Sequence, residues 1–189
     1  MLRKLQEFLP NVNLENLKLT AVINAYSVLQ IPLLGFITPK VVSLTEDHSE
    51  VRVRLDRRTR NHLGAMYFGA LNMGAELSVA LMAVRTISQS GKHIDFLFKD
   101  YSAQFLKRAD GHVNFICPEA DRVKKLIERA AETNERLEGK FSGYAVVKGK
   151  SEEPVMKYTI TLSVRQRGGD SKTSVTESKA KRKKRPPKS

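Results

Sequence analysis

The pattern of apolar and polar residues predicts six β-strands. The expected strands are residues 41–44, 51–55, 94–107, 113–117, 140–147 and 156–165. Alternation with a period of two is clearest over 156–165, where Met156, Tyr158 and Ile160 face one way. Polar residues 45–50 join the first two strands into a predicted hairpin. The phase of the alternation changes near Asp100, which predicts a β-bulge in the third strand.

Apolar residues at helical spacing predict two amphipathic helices. One covers residues 14–29, and Asn13 is placed to cap its first turn. The other begins at Pro118 and carries an apolar stripe through residues 123–131. These helices lie before the first strand and between the fourth and fifth strands.

The longest apolar run covers residues 63–84 and contains a single charge, Glu76, among its 22 residues. That length is sufficient to span a bilayer. However, Gly69, Asn72 and Gly74 interrupt the run, and no second run of this kind follows. We therefore predict a helix buried on nearly every side within one domain.

An antiparallel sheet wrapped around one long apolar helix accounts for the whole pattern, so the predicted fold class is α+β. The alternative is a generic α+β sandwich with its helices on one face. The chain length suits a single domain of ordinary size with an appendage.

About half of the net charge of +13 lies in the last 22 residues of the sequence. Residues 168–189 hold eight Lys or Arg and two Asp or Glu, whereas residues 1–167 hold 25 and 18. Because the last segment has one large aliphatic side chain, Val175, we expect a domain over 1–167 and a disordered basic tail over 168–189. We interpret the tail as a solubilising segment, with contact to nucleic acid, anionic lipid or a nuclear importer as the alternative.

The composition excludes several kinds of site. Cys117 is the only cysteine, which excludes an intramolecular disulfide and a cysteine-rich zinc site and fits a reducing, cytoplasmic compartment. The four histidines lack the spacing of metal ligands, so no metal site is expected. We find no Gly-rich phosphate loop, no serine nucleophile elbow and no pattern that predicts a signal peptide.

Glu76 is the first candidate for chemistry, because a carboxylate on an otherwise apolar helix is costly to bury unpaired. It is either a structural group bonded to a buried partner or a general base or nucleophile with a raised pKa. Asn61 either orients a water or a carbonyl, or caps its loop. His62 is a base or a solvated loop residue, and Tyr67 is a hydrogen-bond donor or a core aromatic.

Residues 61–76, NHLGAMYFGALNMGAE, resemble the loop and central helix of hotdog-fold thioesterases of the PaaI type. The resemblance is closest to a branch of that superfamily known mainly as a domain of unknown function. In the better-known thioesterases of this superfamily, a His-Gly-Gly triplet opens the central helix, and an alanine followed by an acidic residue comes about two turns later. Here Tyr67-Phe68-Gly69 replaces the triplet, Ala75-Glu76 matches the second pair, and Asn61 matches an upstream asparagine.

The resemblance implies a hotdog fold and an acyl-thioester hydrolase that acts as a homodimer, with a tetramer left open. It implies that Glu76 activates water or attacks the carbonyl, that the backbone N–H of Gly69 or a neighbour polarises that carbonyl, and that Asn61 assists. No cofactor is expected, since coenzyme A is part of the substrate. The substrate-binding candidates are His62, Tyr67, Arg57, Arg58 and Arg60.

Several alternatives stay open. The arginines at 57, 58 and 60 either meet coenzyme A phosphates or belong to a solvated turn. The protein is otherwise a non-catalytic hotdog protein that binds acyl-CoA or lipid, or an interaction protein tethered by its basic tail. A hotdog dehydratase is disfavoured, because His62 is not placed as such enzymes require.

Overall fold

A computed structural model describes residues 14–167, except for the side chains of residues 26–28. The predicted cap Asn13 and the predicted tail over 168–189 lie outside the described residues. The helices and strands in chain order are α1 (Leu14–Gln30), α2 (Pro32–Phe36), β1 (Lys40–Leu44), β2 (Ser49–Val53), α3 (Phe68–Ser90), β3 (Ile94–Phe105), β4 (Val113–Cys117), α4 (Ala120–Glu132), β5 (Leu137–Val146) and β6 (Met156–Gln166).

The six strands form one antiparallel sheet in the order β1-β2-β4-β5-β6-β3. The predicted hairpin is present, with Val41 of β1 opposite Val51 of β2. The predicted bulge is also present, since the pairing of β3 with β6 shifts between Phe98 and Asp100. Every predicted strand is therefore confirmed, with bounds that differ by a few residues.

The long helix α3 packs against the face of the sheet that carries the buried side chains. Alternate residues of β6, from Met156 to Val164, are buried on this face, and each is at most 3% exposed. Gly74 lets the helix approach β4 closely, because a Cβ there would lie 2.2 Å from Cε2 of Phe115. Gly91 follows the last residue of the helix, and its left-handed conformation (φ 63°) is the usual helix C-cap geometry.

The predicted buried helix is confirmed, but its bounds differ from those of the apolar run. Residues 63–67 form a loop, and the helix begins at Phe68 and continues beyond residue 84 to Ser90. Helix α3 has the length and composition of a membrane span, yet 67% of its most apolar 18-residue window is buried inside the fold. It is the core helix of this domain.

The two edges of the sheet differ. Helix α1 covers the edge formed by β1. Three polar residues of the helix, at four-residue spacing, form hydrogen bonds with the backbone of β1 and of Pro39 just before it. Asn16 donates to the carbonyl of Val42 (2.6 Å), Asn24 donates to that of Pro39 (2.9 Å), and Thr20 accepts from the N–H of Val41 (3.0 Å). At the opposite edge, β3 pairs only with β6 within the described residues. That edge is twelve residues long and largely exposed.

Candidate active site

Glu76 lies in the third turn of α3, half-buried, at a point where the helix faces β3 and β6. Within residues 14–167 its carboxylate forms no hydrogen bond and no ion pair. Burial raises the pKa of the Glu76 carboxyl above its ordinary value of 4.5, because the charged form loses hydration and gains no partner. The structural alternative, in which Glu76 is bonded to a buried partner such as an arginine, is not observed among residues 14–167.

The Glu76 cavity has a volume of about 170 Å³. It is lined by Asn72, Met73, Glu76, Phe98, Tyr101 and Ile160. Asn72 and Glu76 are one helical turn apart and share a face of α3. The Tyr101 hydroxyl, which comes from β3, donates a hydrogen bond of 2.6 Å to Oδ1 of Asn72. The cavity thus combines apolar walls with a free carboxylate and an anchored amide.

The first turn of α3 has no side-chain cap. Its free N–H groups and the helix dipole favour a partial negative charge at this point. Tyr67 precedes the helix and is 53% exposed, so it is not the core aromatic that one alternative predicted. Its ring covers Gly69, because a Cβ at Gly69 would lie 2.6 Å from Cε1 of Tyr67. Gly69 therefore permits this arrangement of the helix start.

Asn61 organises the loop that leads into α3. Its Oδ1 accepts hydrogen bonds from the N–H groups of Leu63 (2.9 Å) and Ala65 (3.2 Å), and its own N–H donates to the carbonyl of Ala65 (2.7 Å). These contacts correspond to the loop-capping alternative for Asn61. His62 is exposed at the tip of the same loop.

The three arginines before this loop are exposed. Arg58 forms an ion pair with Asp56 (3.0 Å) and donates to Oγ1 of Thr38 (3.1 Å). Within the described residues, Arg57 and Arg60 form no side-chain hydrogen bond or ion pair. The structure therefore leaves two of the three guanidinium groups available for a ligand.

Of the residues predicted from the sequence, only Glu76 lines the cavity. Asn61, His62, Tyr67 and Gly69 lie in the loop and first turn that precede it. Asn72 and Tyr101 also line the cavity, although they were not predicted from the sequence as site residues. Asn72 carried a signal, since it is a polar residue four positions before Glu76 in an apolar helix. Tyr101 carried none, because only the pairing of β3 with β6 brings it to the helix.

A larger cavity of about 500 Å³ lies elsewhere, lined by residues of β3, β5 and β6. Lys157 is the only charged residue of its lining, and none of the predicted site residues lines it. Hydrolysis requires an acid or base near the reacting atoms, and the lining of the larger cavity contains no carboxylate and no histidine. The volume of a cavity therefore does not decide which of the two is the active site. We place the candidate active site in the Glu76 cavity.

Residues 20–164 match the family model described as Domain of unknown function (DUF4442). No curated protein matches the sequence. A protein from Shewanella oneidensis, described provisionally as a thioesterase, has a similar structure: TM-score 0.65 and 14% identity, over 77% of this chain and 96% of that chain. A single-site variant of a Pseudomonas aeruginosa thioesterase is similar with TM-score 0.56 and 16% identity, over 83% of this chain and 96% of that one.

The E. coli PaaI protein from the phenylacetic acid degradation operon has a TM-score of 0.51 and 12% identity, over 79% of this chain and 95% of that chain. At such low identities the similarity establishes the fold alone, and that fold is the predicted hotdog fold. Since the family model covers most of the sequence, the chain belongs to the family described as Domain of unknown function (DUF4442), with the hotdog fold of the thioesterases.

Proposed function

We propose that this protein hydrolyses an acyl thioester carried on coenzyme A and that it acts as a homodimer. The observation that carries the proposal is the carboxylate of Glu76, which is half-buried in an apolar cavity beside the core helix and has no partner among residues 14–167. An unpaired carboxylate in such surroundings lowers the stability of the fold, and acids with perturbed pKa values are concentrated at functional sites. The thioesterase names among proteins of similar fold support the same reaction.

In the proposed reaction, Glu76 acts as the general base. It removes a proton from a water molecule while the water oxygen bonds to the thioester carbon and the carbonyl electron pair moves to oxygen. The tetrahedral intermediate then re-forms the carbonyl and breaks the carbon–sulfur bond. The protonated Glu76 returns its proton to the leaving thiolate, which gives the carboxylic acid and free thiol. Direct attack by the carboxylate is the alternative route to the same products.

The carbonyl requires a hydrogen-bond donor, and the uncapped start of α3 supplies N–H groups for that purpose. Gly69 and Glu76 are seven residues apart, however, which corresponds to roughly 10 Å along the helix axis. One carbonyl cannot contact both on the same helix. We therefore infer that the N–H near Gly69 acts on a substrate bound beside Glu76 of the partner subunit.

The homodimer is supported by the unequal edges of the sheet. Long exposed edges are normally covered, and among residues 14–167 cover is found at the β1 edge only. Large apolar side chains are exposed on β3 and at the start of α3, including Leu97 (64%), Phe105 (45%) and Phe68 (59%). The Glu76 cavity borders the same edge, since Phe98 and Tyr101 belong to β3. A second protomer at this edge would cover the apolar residues and enclose the cavity.

Coenzyme A is the proposed carrier because of the arginines before α3. Arg57 and Arg60 are exposed and unpaired within the described part of the chain. Guanidinium groups bind phosphates bidentately, and coenzyme A carries three phosphates. The helix start beside them favours the same negative charge.

One observation favours a second candidate function, a non-catalytic protein that binds acyl-CoA. Tyr67 and Phe68 occupy the positions where active relatives have a histidine and a glycine. The Tyr67 ring also covers Gly69, which narrows access to the N–H groups of the first turn. Such a protein would retain the cavity and the arginines without turnover.

A screen of acyl-CoA substrates across chain lengths distinguishes the two functions. Release of free coenzyme A is measured with a thiol reagent, and binding of each acyl-CoA is measured by calorimetry. The only cysteine of the chain, Cys117, is buried, and burial raises the pKa of its thiol to about 12, so it should not contribute to the thiol signal. We expect turnover of at least one chain length. Tight binding without turnover of any substrate would exclude the hydrolase.

A further inference from the structure

The amide of Asn72 is held in one orientation. Its Oδ1 accepts the hydrogen bond from the Tyr101 hydroxyl, at 2.6 Å, a normal length for an O–H···O bond. Burial raises the pKa of the Tyr101 phenol, so this hydroxyl stays protonated and continues to donate. Because Oδ1 is occupied, the NH2 group of Asn72 points away from Tyr101. Within residues 14–167 that NH2 group has no acceptor.

The position of Asn72 suits a group that acts on the same carbonyl as Glu76. The two residues are four positions apart, which corresponds to roughly 6 Å along the helix axis, and both side chains line one cavity. A water activated by Glu76 must approach the carbonyl carbon to about 3–3.5 Å. The carbonyl oxygen of a substrate in that position is within reach of the Asn72 amide, whereas the N–H of Gly69 in the same chain is too far along the helix.

We propose that Asn72 is a catalytic residue, whose NH2 group donates a hydrogen bond to the thioester carbonyl oxygen, and that Tyr101 is the positioning residue that orients this amide. The inference rests on the proposed hydrolysis of a thioester. As the water oxygen bonds to the carbonyl carbon, the carbonyl oxygen gains the electron pair and its negative charge. Asparagine amides and backbone N–H groups are the usual donors to such an oxyanion. The donor from Asn72 adds to the N–H from the partner subunit.

Steady-state kinetics of Asn72→Leu and Tyr101→Phe test the proposal, with the best acyl-CoA of the screen as substrate. Asn72→Leu keeps the size of the side chain and removes the donor, so we expect kcat to fall about 100-fold or more while KM changes little. Tyr101→Phe keeps the ring and releases the amide. We expect a smaller loss in kcat, about tenfold, because the freed amide still donates part of the time.

A matched control lies on the same pair of strands. The hydroxyl of Thr161 on β6 donates a hydrogen bond to Oδ2 of Asp100 (2.8 Å). Asp100 is adjacent to Tyr101 in the sequence, but its side chain lies on the opposite face of the sheet. Thr161→Val removes one hydrogen bond between β3 and β6 without changing the cavity. We expect its kcat to remain at the wild-type value. A purely structural role for the Tyr101–Asn72 hydrogen bond would instead give the control and Tyr101→Phe the same loss of Tm and the same kcat.

A spectroscopic measurement reports carbonyl polarisation directly. In a Glu76→Gln background, an acyl-CoA labelled with ¹³C at the carbonyl should bind with a lowered C=O stretching frequency, and adding Asn72→Leu or Tyr101→Phe should shift it back towards the value in solution. If wild type and Asn72→Leu have equal kcat and the frequency does not change, the role of Asn72 is excluded while the hydrolase stands. If wild type hydrolyses no acyl-CoA, both the hydrolase and the role of Asn72 are excluded.

Discussion

At the scale of single residues, Glu76 is the group whose position is hardest to explain by stability alone. Its carboxylate loses hydration on α3 and gains no partner within the described residues. Glu50, an acid that is more deeply buried, is paired: it is 6% exposed and contacts both Lys148 (2.8 Å) and Asn114. This contrast separates a carboxylate that serves the fold from one that is available for chemistry.

We predict that Glu76→Gln stabilises the protein at alkaline pH. The folded protein holds the Glu76 proton more tightly than the unfolded chain, because burial raises this pKa above 4.5. The contribution of Glu76 to stability is therefore largest below pH 4.5 and decreases as pH rises through the raised pKa. Tyr101 is the only other titratable group of the cavity lining, and it stays neutral over this range.

Thermal unfolding of the two proteins at pH 4 and at pH 8 checks this prediction. At pH 8 the glutamine variant should have a Tm a few degrees higher than wild type, and at pH 4 the two values should nearly coincide. A variant that is less stable at pH 8 would show that the carboxylate has a stabilising partner, and that Glu76 is structural.

At the scale of secondary-structure elements, the described residues cover one edge of the sheet and leave the other open. Asn16, Thr20 and Asn24 satisfy backbone groups of β1 and of Pro39 just before it, and no comparable contacts protect β3 within residues 14–167. The open edge is also the border of the Glu76 cavity. Assembly and chemistry are therefore expected to depend on the same strand.

We predict that Leu97→Lys weakens the homodimer at least tenfold and lowers thioester turnover with it. Leu97 is 64% exposed on β3, and a lysine on an edge strand opposes edge-to-edge pairing through its charge and hydration. Leu33→Lys on α2 is the matched control, since Leu33 is equally exposed (63%). Helix α2 directly precedes β1, and β1 and β3 are at opposite edges of the sheet. Sedimentation equilibrium at micromolar concentration measures dimerisation of wild type and of both variants, and coenzyme A release measures their turnover. A wild-type protein that is monomeric would contradict the proposed assembly.

The sequence predicted the elements well, because their signals are local. The alternation over 156–165 and the phase change near Asp100 specify β6 and the bulge of β3 directly. The apolar run predicted the start of α3 too early, since residues 63–67 continue the run although they form a loop, whereas the resemblance placed the start of the helix at Tyr67-Phe68-Gly69. Local composition does not distinguish a buried loop residue such as Met66 (3% exposed) from a helical one.

The candidate site was predicted only in part, for a physical reason. Glu76 is conspicuous as a lone charge in an apolar helix. The orientation of Asn72 depends on Tyr101, which is 29 residues away, and on the register that places Tyr101 opposite Ile160. A hydrogen bond between side chains so far apart in sequence is set by the fold and leaves no pattern in the chain.

At the scale of the whole molecule, the proposed active site is shared between two subunits. Glu76 and the N–H groups near Gly69 are too far apart on one helix to act on one carbonyl. We predict that a mixed dimer of Glu76→Gln and Gly69→Leu subunits regains up to about half of the wild-type activity, through its single intact site. Each parent homodimer should be inactive. Mixed dimers that stay inactive would show that the site is not shared in this way.

The basic segment 168–189 lies outside the described residues, so its dispensability for folding stays a prediction. Deletion of these residues should change Tm by no more than a few degrees and leave turnover intact, because they contain one large aliphatic side chain. If the segment tethers the protein, its deletion should abolish salt-sensitive binding to anionic vesicles or nucleic acid. A large fall in Tm would show that it packs on the domain.

The central claim is that Glu76 activates water for thioester hydrolysis, and its most direct test compares wild type with Glu76→Gln. Both proteins are assayed for coenzyme A release and for the Kd of the same acyl-CoA. Glutamine keeps the shape of the side chain and loses its basicity, so we predict that kcat falls at least 100-fold while Kd changes by less than about threefold. Equal kcat values for the two proteins would contradict the proposed mechanism.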